Sequence, residues 1–184
     1  MSRILLHVSG SISCYKSCEL ISRLSKKGHE IKVTASKGAL EFVGKASFEG
    51  LSHNPIHTGM FNDEDPIPHI NLAQNWADLI IAYPASADCI NRLAAGLCDD
   101  LFGAICLANN FIHPLLIAPA MNTQMFLHPA VQESLAKLKS WGAEILPCGE
   151  GDLACGTKGT GRLIEPVDAV KIIESVLERT GGKE

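Results

Sequence analysis

Four short segments of small and hydroxyl-bearing residues could together bind a phosphorylated ligand. They are segments 10–13 (GSIS), 36–38 (SKG), 84–87 (PASA) and 119–122 (PAMN). The first comes directly before a predicted helix, where free backbone N–H groups suit a phosphate. Its pattern is not G-x-G-x-x-G, so a dinucleotide is not indicated. The four segments predict a site for a mononucleotide with a phosphate tail, whereas Lys37 by itself is typical of a solvated surface charge.

The chain contains seven cysteines, and their pattern predicts neither a disulfide framework nor a metal site. The number is odd and no two of them form a C-x-x-C pair. Cys14 and Cys18 lie one helical turn apart, which is typical of small core residues on one helix face. Cys155 differs, because it precedes Gly156 in a glycine-dense segment where no small core residue is needed. Cys155 is therefore the cysteine most suited to chemistry.

Alternating strand and helix patterns position these residues. Apolar, β-rich runs predict strands at Arg3–Val8, Glu30–Ala35, 79–83, 115–118 and 144–146. Helical patterns cover 14–27, 39–48, 88–107, 128–141 and 168–178, and the proline-containing segment 53–68 is typical of a surface loop. This order predicts an α/β fold, a Rossmann-like (flavodoxin-like) parallel sheet with helices on both faces. Ligands bind such sheets beyond the carboxyl ends of the strands, where the four segments fall.

Length and composition restrict the classes of function. The 184 residues predict a single domain spanning 1–184. A net charge of −4 argues against a nucleic-acid partner, and 5% aromatic residues offer few stacking platforms for single strands. No apolar run approaches the ~20 residues of a membrane helix, and the first apolar run is too short for a signal peptide. We therefore expect a cytoplasmic protein without a membrane partner.

Four motifs, taken together, resemble those of the homo-oligomeric flavin-containing cysteine decarboxylases. Segment 119–126 (PAMNTQMF) is similar to the family's P-x-M-N-x-x-M-W, and segment 84–88 (PASAD) to its P-A-S-A-N-T. Segment 69–72 (HINL) is similar to H-I-E-L, and segment 10–16 (GSISCYK) to G-S-I-A-A-Y-K. The resemblance covers residues 3 to about 165. Asp88 and Cys89 depart from the family's Asn-Thr, and Phe126 replaces its tryptophan.

The resemblance implies FMN as the cofactor, bound where the strands end. The implied cofactor contacts are Gly10, Ser11, Ile12, Ser36, Pro84, Ser86, Ala87, Asp88 and Ala120. The implied substrate contacts are Asn122, Met125, Ala154 and Cys155. Members of the family assemble as trimers or dodecamers with flavin between subunits, so the resemblance also implies a homo-oligomer.

Flavin chemistry explains how a cysteine could lose its carboxylate. Direct loss of CO2 would leave a carbanion without an electron sink. Oxidation of the CH2–SH group to a thioaldehyde places a C=S group β to the carboxylate, and an enethiolate can then hold the electrons. The difficult step therefore belongs to the cofactor, and the protein supplies binding and proton transfer.

The resemblance assigns roles to three residues. His69 would be the base of the first step, because imidazole titrates near neutral pH. Asn122 would hold the substrate carboxylate through its amide N–H, although asparagine here is also typical of a helix N-cap. Cys155 would give a proton to the enethiolate carbon from a glycine-rich flap. Without the resemblance, His69 is typical of a histidine packed at a helix start, and the glycines of a plain surface loop.

Two features point to different branches of the family. Segment 153–156 (LACG), followed by Gly159, Gly161 and Arg162, resembles the branch that acts on phosphopantothenoylcysteine in coenzyme A synthesis. Peptidyl-cysteine decarboxylases of lantibiotic type lack that cysteine. His69 and Trp76, however, are seven residues apart, where the coenzyme A branch usually has six and an epidermin-type enzyme has the longer spacing. We give Cys155 more weight because it has a chemical role.

Three alternatives stay open at this point. A peptidyl-cysteine decarboxylase would stop at the enethiol, which an assay with both substrates would reveal. A flavin-binding regulatory protein would carry the same fold without turnover. A flavin prenyltransferase is a third relative, but its sequence differs from this one in the segments that follow the strands.

Overall fold

A five-stranded parallel sheet forms the centre of the computed structural model, which describes residues 1–61, 65–152 and 158–181. The strands are β1 (Arg3–Val8), β2 (Glu30–Ala35), β3 (Leu79–Ala85), β4 (Leu115–Pro119) and β5 (Glu144–Ile145). Their order is β2-β1-β3-β4-β5, and every neighbouring pair is parallel. The chain runs outward from β1 to β2 and then returns to β3, so the strand order reverses between β1 and β3. Ligands bind at such a reversal in open α/β sheets.

Helices cover both faces of the sheet, which confirms the predicted fold class. They are α1 (Tyr15–Lys26), α2 (Lys37–Leu40), α3 (Lys45–Ser52), α4 (Pro68–Ile70), α5 (Ala87–Ala94), α6 (Leu101–Asn109), α7 (Thr123–Leu127), α8 (Pro129–Trp141) and α9 (Pro166–Gly181). A 3-10 turn (Ile12–Cys14) precedes α1, and a π-helix (Asn71–Trp76) follows α4. Within the described ranges, no helix has the length and apolar character needed to cross a bilayer.

Alternating side chains of the central strands supply two separate cores. Ile4 and Leu6 of β1 belong to the cluster that α1 and α9 cover. Leu5 of β1 and Ile80 of β3 belong to the opposite cluster, which α5, α6 and α8 cover. Because successive side chains of a strand point to opposite faces, a strand buried on both faces is apolar throughout. This arrangement explains the continuous apolar runs in the sequence.

Two predicted helices are each divided into two, so the predictions of single helices at 39–48 and 88–107 were wrong. The first is divided before α3, where Gly44 is the extended N-cap residue. The second is divided after α5, where Gly96 has a φ of +69°, and α6 restarts at Asp100, whose Oδ1 accepts from Gly103 N–H. Glycine in the left-handed region and an aspartate N-cap are ordinary signals for ending and starting helices.

A short antiparallel hairpin was not predicted. It pairs β6 (Gly149–Asp152) with β7 (Lys158–Arg162), and residues 153–157 between them lie outside the described residues. The backbone of Gly161 in β7 accepts a 2.9 Å hydrogen bond from Met121 N–H, and Thr123 Oγ1 donates to Thr160 O at 2.8 Å. The hairpin is therefore fixed to the loop that follows β4.

Replacing Gly103 by alanine is expected to reduce the free energy of unfolding by about 1–3 kcal/mol, as overpacking usually does. A Cβ atom at this position in α6 would overlap the carbonyl oxygen of Leu97 and lie 3.1 Å from Cys98 Cα. Gly50→Ala in α3 is the matched control, because nothing lies within 4 Å of its Cβ position. Urea unfolding should show the control unchanged or slightly stabilised, and equal effects of both changes would contradict the packing argument.

Candidate active site

The ends of the strands are joined to one another by hydrogen bonds. Ser9 Oγ, just after β1, donates to Pro84 O at 2.8 Å and accepts from Ser86 N–H at 2.7 Å. Ser36 N–H donates to Val8 O, and Ala120 N–H donates to Ala85 O, both at 3.0 Å. These bonds hold the loops after β1, β2, β3 and β4 at one edge of the sheet, as their positions in the sequence predict.

A cleft of about 740 Å³ opens above this edge, and we call it the large cleft. Its wall includes eight residues that the sequence singles out: Gly10, Ser11, Ile12, Ser86, Ala87, Ala120, Asn122 and Met125. Apolar groups from Ile12, Ala87 and Met125 stand beside polar groups from Ser11 and Asn122. The large cleft thus suits a planar, largely apolar ligand with polar groups on its rim.

A second space of about 360 Å³, here called the small cavity, adjoins the large cleft at the two residues that line both, Gly10 and Ser86. Ser36, Lys37 and Asp88 also line the small cavity. Ser36 Oγ accepts from Ala39 N–H, and Ser86 Oγ accepts from Cys89 N–H, each at 3.2 Å. Both hydroxyl groups keep their own hydrogens, which can bind the oxygens of a polar ligand arm.

The small cavity contains one buried titratable residue that the sequence analysis did not single out. His7 in β1 is 5% exposed, and burial lowers its pKa from the ordinary value of 6.5 to about 3. It is the polar residue inside the apolar run at 4–8, and that interruption was the signal that could have identified it. The imidazole is therefore neutral at neutral pH.

Acid is expected to destabilise the protein through His7. Because its folded pKa is below its unfolded pKa, the unfolded chain binds the proton first, and stability falls as pH falls from about 6.5 toward 3. One such proton contributes about 1.4 kcal/mol per pH unit inside this window. Urea unfolding of the flavin-free chain and of His7→Gln across this range measures the difference. Parallel stability curves for the two proteins would contradict the prediction.

Asn122 lies at the start of α7 and lines the large cleft. Its Oδ1 accepts from Gln124 N–H at 2.8 Å, so the N-cap that the sequence allowed is present. The cap fixes the orientation of the carboxamide through its oxygen. Capping and ligand binding are therefore compatible roles for the same side chain.

Two cations at the edge of the large cleft share one carboxylate. Lys16 Nζ and Arg162 Nη2 each lie 2.8 Å from Glu165 Oε1. Lys16 is only 9% exposed, and its hydrogen bond is the largest cause of the lowered pKa of Glu165. Lys16 and Arg162 lie within the motifs that resemble the family, but no role was predicted for either. Their shared partner is 149 residues from Lys16, so no local pattern could have revealed the pair.

His69 lies in α4, which packs against α6, and it lines neither the large cleft nor the small cavity. Its Nδ1 is buried and has no hydrogen-bond partner among the residues that the structure describes. The fold of one chain therefore does not bring His69 to the wall that carries Asn122.

The π-helix accommodates the seven-residue spacing from His69 to Trp76. Ala77 N–H donates to Leu72 O, five residues back, at 3.1 Å. A π-helical turn contains one residue more than an α-helical turn. The wide turn therefore accommodates the additional residue between α4 and β3.

The remaining predicted contacts are placed as follows. Pro84 lines neither space, but its carbonyl oxygen accepts from Ser9, so it positions the wall and is not part of it. Ala154 and Cys155 lie outside the described residues, between β6 and β7. Over the ranges described, no cluster of three or more His, Cys, Asp or Glu residues could hold a metal ion.

Comparison with known proteins identifies the family. The model of the Flavoprotein family matches residues 1–178. The chain belongs to the Flavoprotein family. A coenzyme A biosynthesis bifunctional protein CoaBC from Mycolicibacterium smegmatis is 41% identical over 177 residues, which are 96% of this chain and 42% of that protein. The chain thus spans about two fifths of the length of the curated relatives that it matches.

Solved structures of Flavoprotein relatives share the fold along nearly the whole chain. A cysteine-to-serine mutant of PPC decarboxylase complexed with pantothenoylaminoethenethiol superposes with a TM-score of 0.86 at 30% identity, covering 96% of this chain and 98% of that one. The FMN binding protein AtHal3 superposes with a TM-score of 0.80 at 32% identity, covering 95% of this chain and 97% of that one. The strands whose ends form the large cleft and the small cavity therefore belong to a fold that this chain shares with both relatives.

Proposed function

We propose that the protein is an FMN-dependent carboxy-lyase that converts 4′-phosphopantothenoylcysteine to 4′-phosphopantetheine in coenzyme A biosynthesis. The observation that carries the proposal is the pair of adjoining spaces at the strand ends, with Asn122 and Met125 on the wall of the larger one. The similarity to CoaBC and to PPC decarboxylase supports the reaction and the substrate. We treat residues 1–184 as one flavoprotein domain.

The residues present fit FMN. A Cβ atom on Gly10 would lie 3.2 Å from the carbonyl carbon of Gly38, so the loops after β1 and β2 meet closely without side chains between them. Ser36 and Ser86 would donate hydrogen bonds to the ribityl phosphate arm in the small cavity, and the Asp88 carboxylate would accept from ribityl hydroxyl groups. Ile12 and Ala87 in the large cleft would contact the ring system. The name of AtHal3, an FMN binding protein, supports this cofactor.

The family's other implied cofactor contacts fit the same arrangement. Gly10 and Ser11 would approach the cofactor through the turn after β1, and Ala120 would do so from the loop after β4. Pro84 would act through its carbonyl bond to Ser9, which fixes Ser86. Asp88 is exposed at the first turn of α5 and brings a negative charge where the family often has a neutral asparagine.

When bound, FMN would supply two-electron redox chemistry in both directions, as acceptor of a hydride when the substrate's CH2–SH group becomes C=S and as donor of a hydride when the enethiolate becomes the saturated thiol. Asn122 orients the departing carboxylate through its amide group, and a neutral amide avoids stabilising the ground-state charge too strongly. His69 takes the proton of the thiol. Cys155 donates a proton to the enethiolate carbon, and Ala154 and Met125 complete the substrate site. A related PPC decarboxylase in which one cysteine is replaced by serine forms a complex with pantothenoylaminoethenethiol, and this supports a cysteine as the acid that acts on an enethiol.

A homo-oligomer, a trimer or dodecamer, is part of the proposal. His69 lies on α4 and does not line the spaces at the strand ends of its own chain. A second copy that brings its large cleft against α4 would unite His69 with Asn122. His69 is only half-buried in its own chain, so part of the residue is accessible to a second copy, which supports a site completed in this way.

The proposal is tested by purification followed by two parallel assays. The pure protein is expected to be yellow and to release FMN on denaturation. With phosphopantothenoylcysteine it should form a product lighter by CO2 alone, whereas a peptidyl-cysteine decarboxylase would remove CO2 and two hydrogens from a peptide ending in cysteine. Flavin binding without turnover of either substrate would favour a regulatory protein. A colourless, folded protein that takes up no FMN would contradict the proposal.

A further inference from the structure

His7 forms the inner wall of the small cavity. The imidazole stacks on the Phe102 ring of α6, with ring centroids 3.8 Å apart and an interplanar angle of 4°. It is 5% exposed and lines the small cavity. The stack fixes the plane of the imidazole, so its ring edge can meet a ligand in only one orientation.

One nitrogen of His7 has a fixed partner within the sheet. Nδ1 lies 2.9 Å from Oγ1 of Thr34 in β2, and Thr34 is 1% exposed. Nε2 has no hydrogen-bond partner among the residues that the structure describes. Since the Thr34 hydroxyl can donate to Nδ1, the neutral imidazole can carry its proton on Nε2 and donate it to a ligand.

Burying the His7 side chain costs free energy, and packing contacts alone do not explain why an imidazole is buried there. An imidazole within an apolar run is harder to bury than an aliphatic side chain, because its ring nitrogens need polar partners or water. Thr34 compensates Nδ1 only. A ligand oxygen in the small cavity would compensate Nε2, and the hydroxyl hydrogens of Ser36 and Ser86 are available for the same ligand arm.

We propose that His7 is a cofactor-binding residue whose Nε2–H donates to an oxygen of the ribityl phosphate arm of the flavin. The inference rests on the proposed function and extends it to a residue that the family motifs do not include. Thr34 and Phe102 are its positioning residues, because the Thr34 hydroxyl is the partner of Nδ1 and the Phe102 ring sets the plane of the imidazole. A phosphate oxygen and a ribityl hydroxyl share the required chemistry, and the ligands of the test distinguish them.

The test compares two substitutions, each of which retains a polar atom near the position of one of the two ring nitrogens. His7→Asn keeps a polar atom near the position of Nδ1 and loses the donor at Nε2, whereas His7→Gln keeps a donor near Nε2. Quenching of flavin fluorescence measures Kd for FMN and for riboflavin with the flavin-free proteins. We expect the Asn variant to bind FMN about 10-fold or more weakly, and the Gln variant within about 3-fold of the parent.

Comparing the Kd values for FMN and riboflavin identifies which flavin oxygen accepts the hydrogen bond from His7. Weakening of FMN binding alone would assign the phosphate, and equal weakening of FMN and riboflavin binding would assign a ribityl hydroxyl. Equal affinities of the two variants, whether unchanged or reduced, would overturn the inference, because only the Nε2-like donor separates them. A parent protein that takes up no flavin would instead contradict the proposed function.

A third variant keeps the test decisive if the His7 variants do not fold, which thermal unfolding would reveal. Thr34→Val retains the imidazole but removes the partner of Nδ1, so the ring loses its hydrogen bond to β2 and is held less firmly. We expect its Kd for FMN to rise about 3-fold or more, as loss of one neutral hydrogen bond would produce. An unchanged Kd in a folded Thr34→Val protein would overturn the inference.

Discussion

An Asn122→Asp variant is expected to fold like the parent and to lose about 100-fold or more in kcat/KM for phosphopantothenoylcysteine. Aspartate caps a helix as well as asparagine does, so the bond from Gln124 N–H is retained. The change replaces an amide donor by a negative charge opposite the substrate carboxylate. Like charges in a desolvated site cost several kcal/mol, which corresponds to this loss.

The control for this variant is Asn122→Ser, which also caps α7 but adds no charge. It should lose less activity than the Asp variant, and both should take up FMN normally, as flavin absorbance after reconstitution would show. Unchanged kcat/KM in the Asp variant would show that Asn122 does not bind the substrate carboxylate and acts only as the N-cap of α7.

Replacement of Cys155 by serine is expected to leave CO2 release intact while formation of the saturated thiol falls by about 100-fold or more. A thiol with an ordinary pKa near 8.5 can donate a proton to carbon far more readily than a serine hydroxyl can. Loss of a positioned acid costs about 10²–10⁴-fold. Mass spectrometry should detect the enethiol, and the absorbance spectrum should show the bound flavin left reduced.

A neighbouring cysteine gives the matched control for that experiment. Cys148→Ser changes a half-buried thiol that lies just before β6 and lines neither the large cleft nor the small cavity. It should release CO2 and form the saturated product as the parent does. Repeated turnover of Cys155→Ser to the saturated thiol would exclude Cys155 as the proton donor.

The strands of the parallel sheet could be predicted from the sequence because each strand is marked by a local apolar run. Apolar runs bounded by glycine or polar residues give β1 and β2 with their observed limits, Arg3–Val8 and Glu30–Ala35. The π-helix, α7 and the hairpin were not predicted. The hairpin strands carry glycine and charged residues in place of an apolar alternation, and they are held through the backbone of Gly161 and Met121.

The wall of the site was predictable for the same reason, since parallel strands end at one edge. The sequence could not reveal relations between distant side chains. His7 pairs with Thr34 across two strands, and Lys16 meets Glu165 near the other end of the chain. Nor could it show that His69 and the large cleft are separate within one chain.

The π-helix has a consequence for how such proteins are classified. An extra residue inserted into an ordinary α-helix rotates everything beyond it by about 100° and shifts it by about 1.5 Å. A single wide turn between His69 and Ala77 confines that disturbance to a few residues. A one-residue insertion can therefore be accommodated here while the histidine stays at the start of the segment. The count of residues between the histidine and the tryptophan is accordingly a poor marker for sorting homologues by substrate.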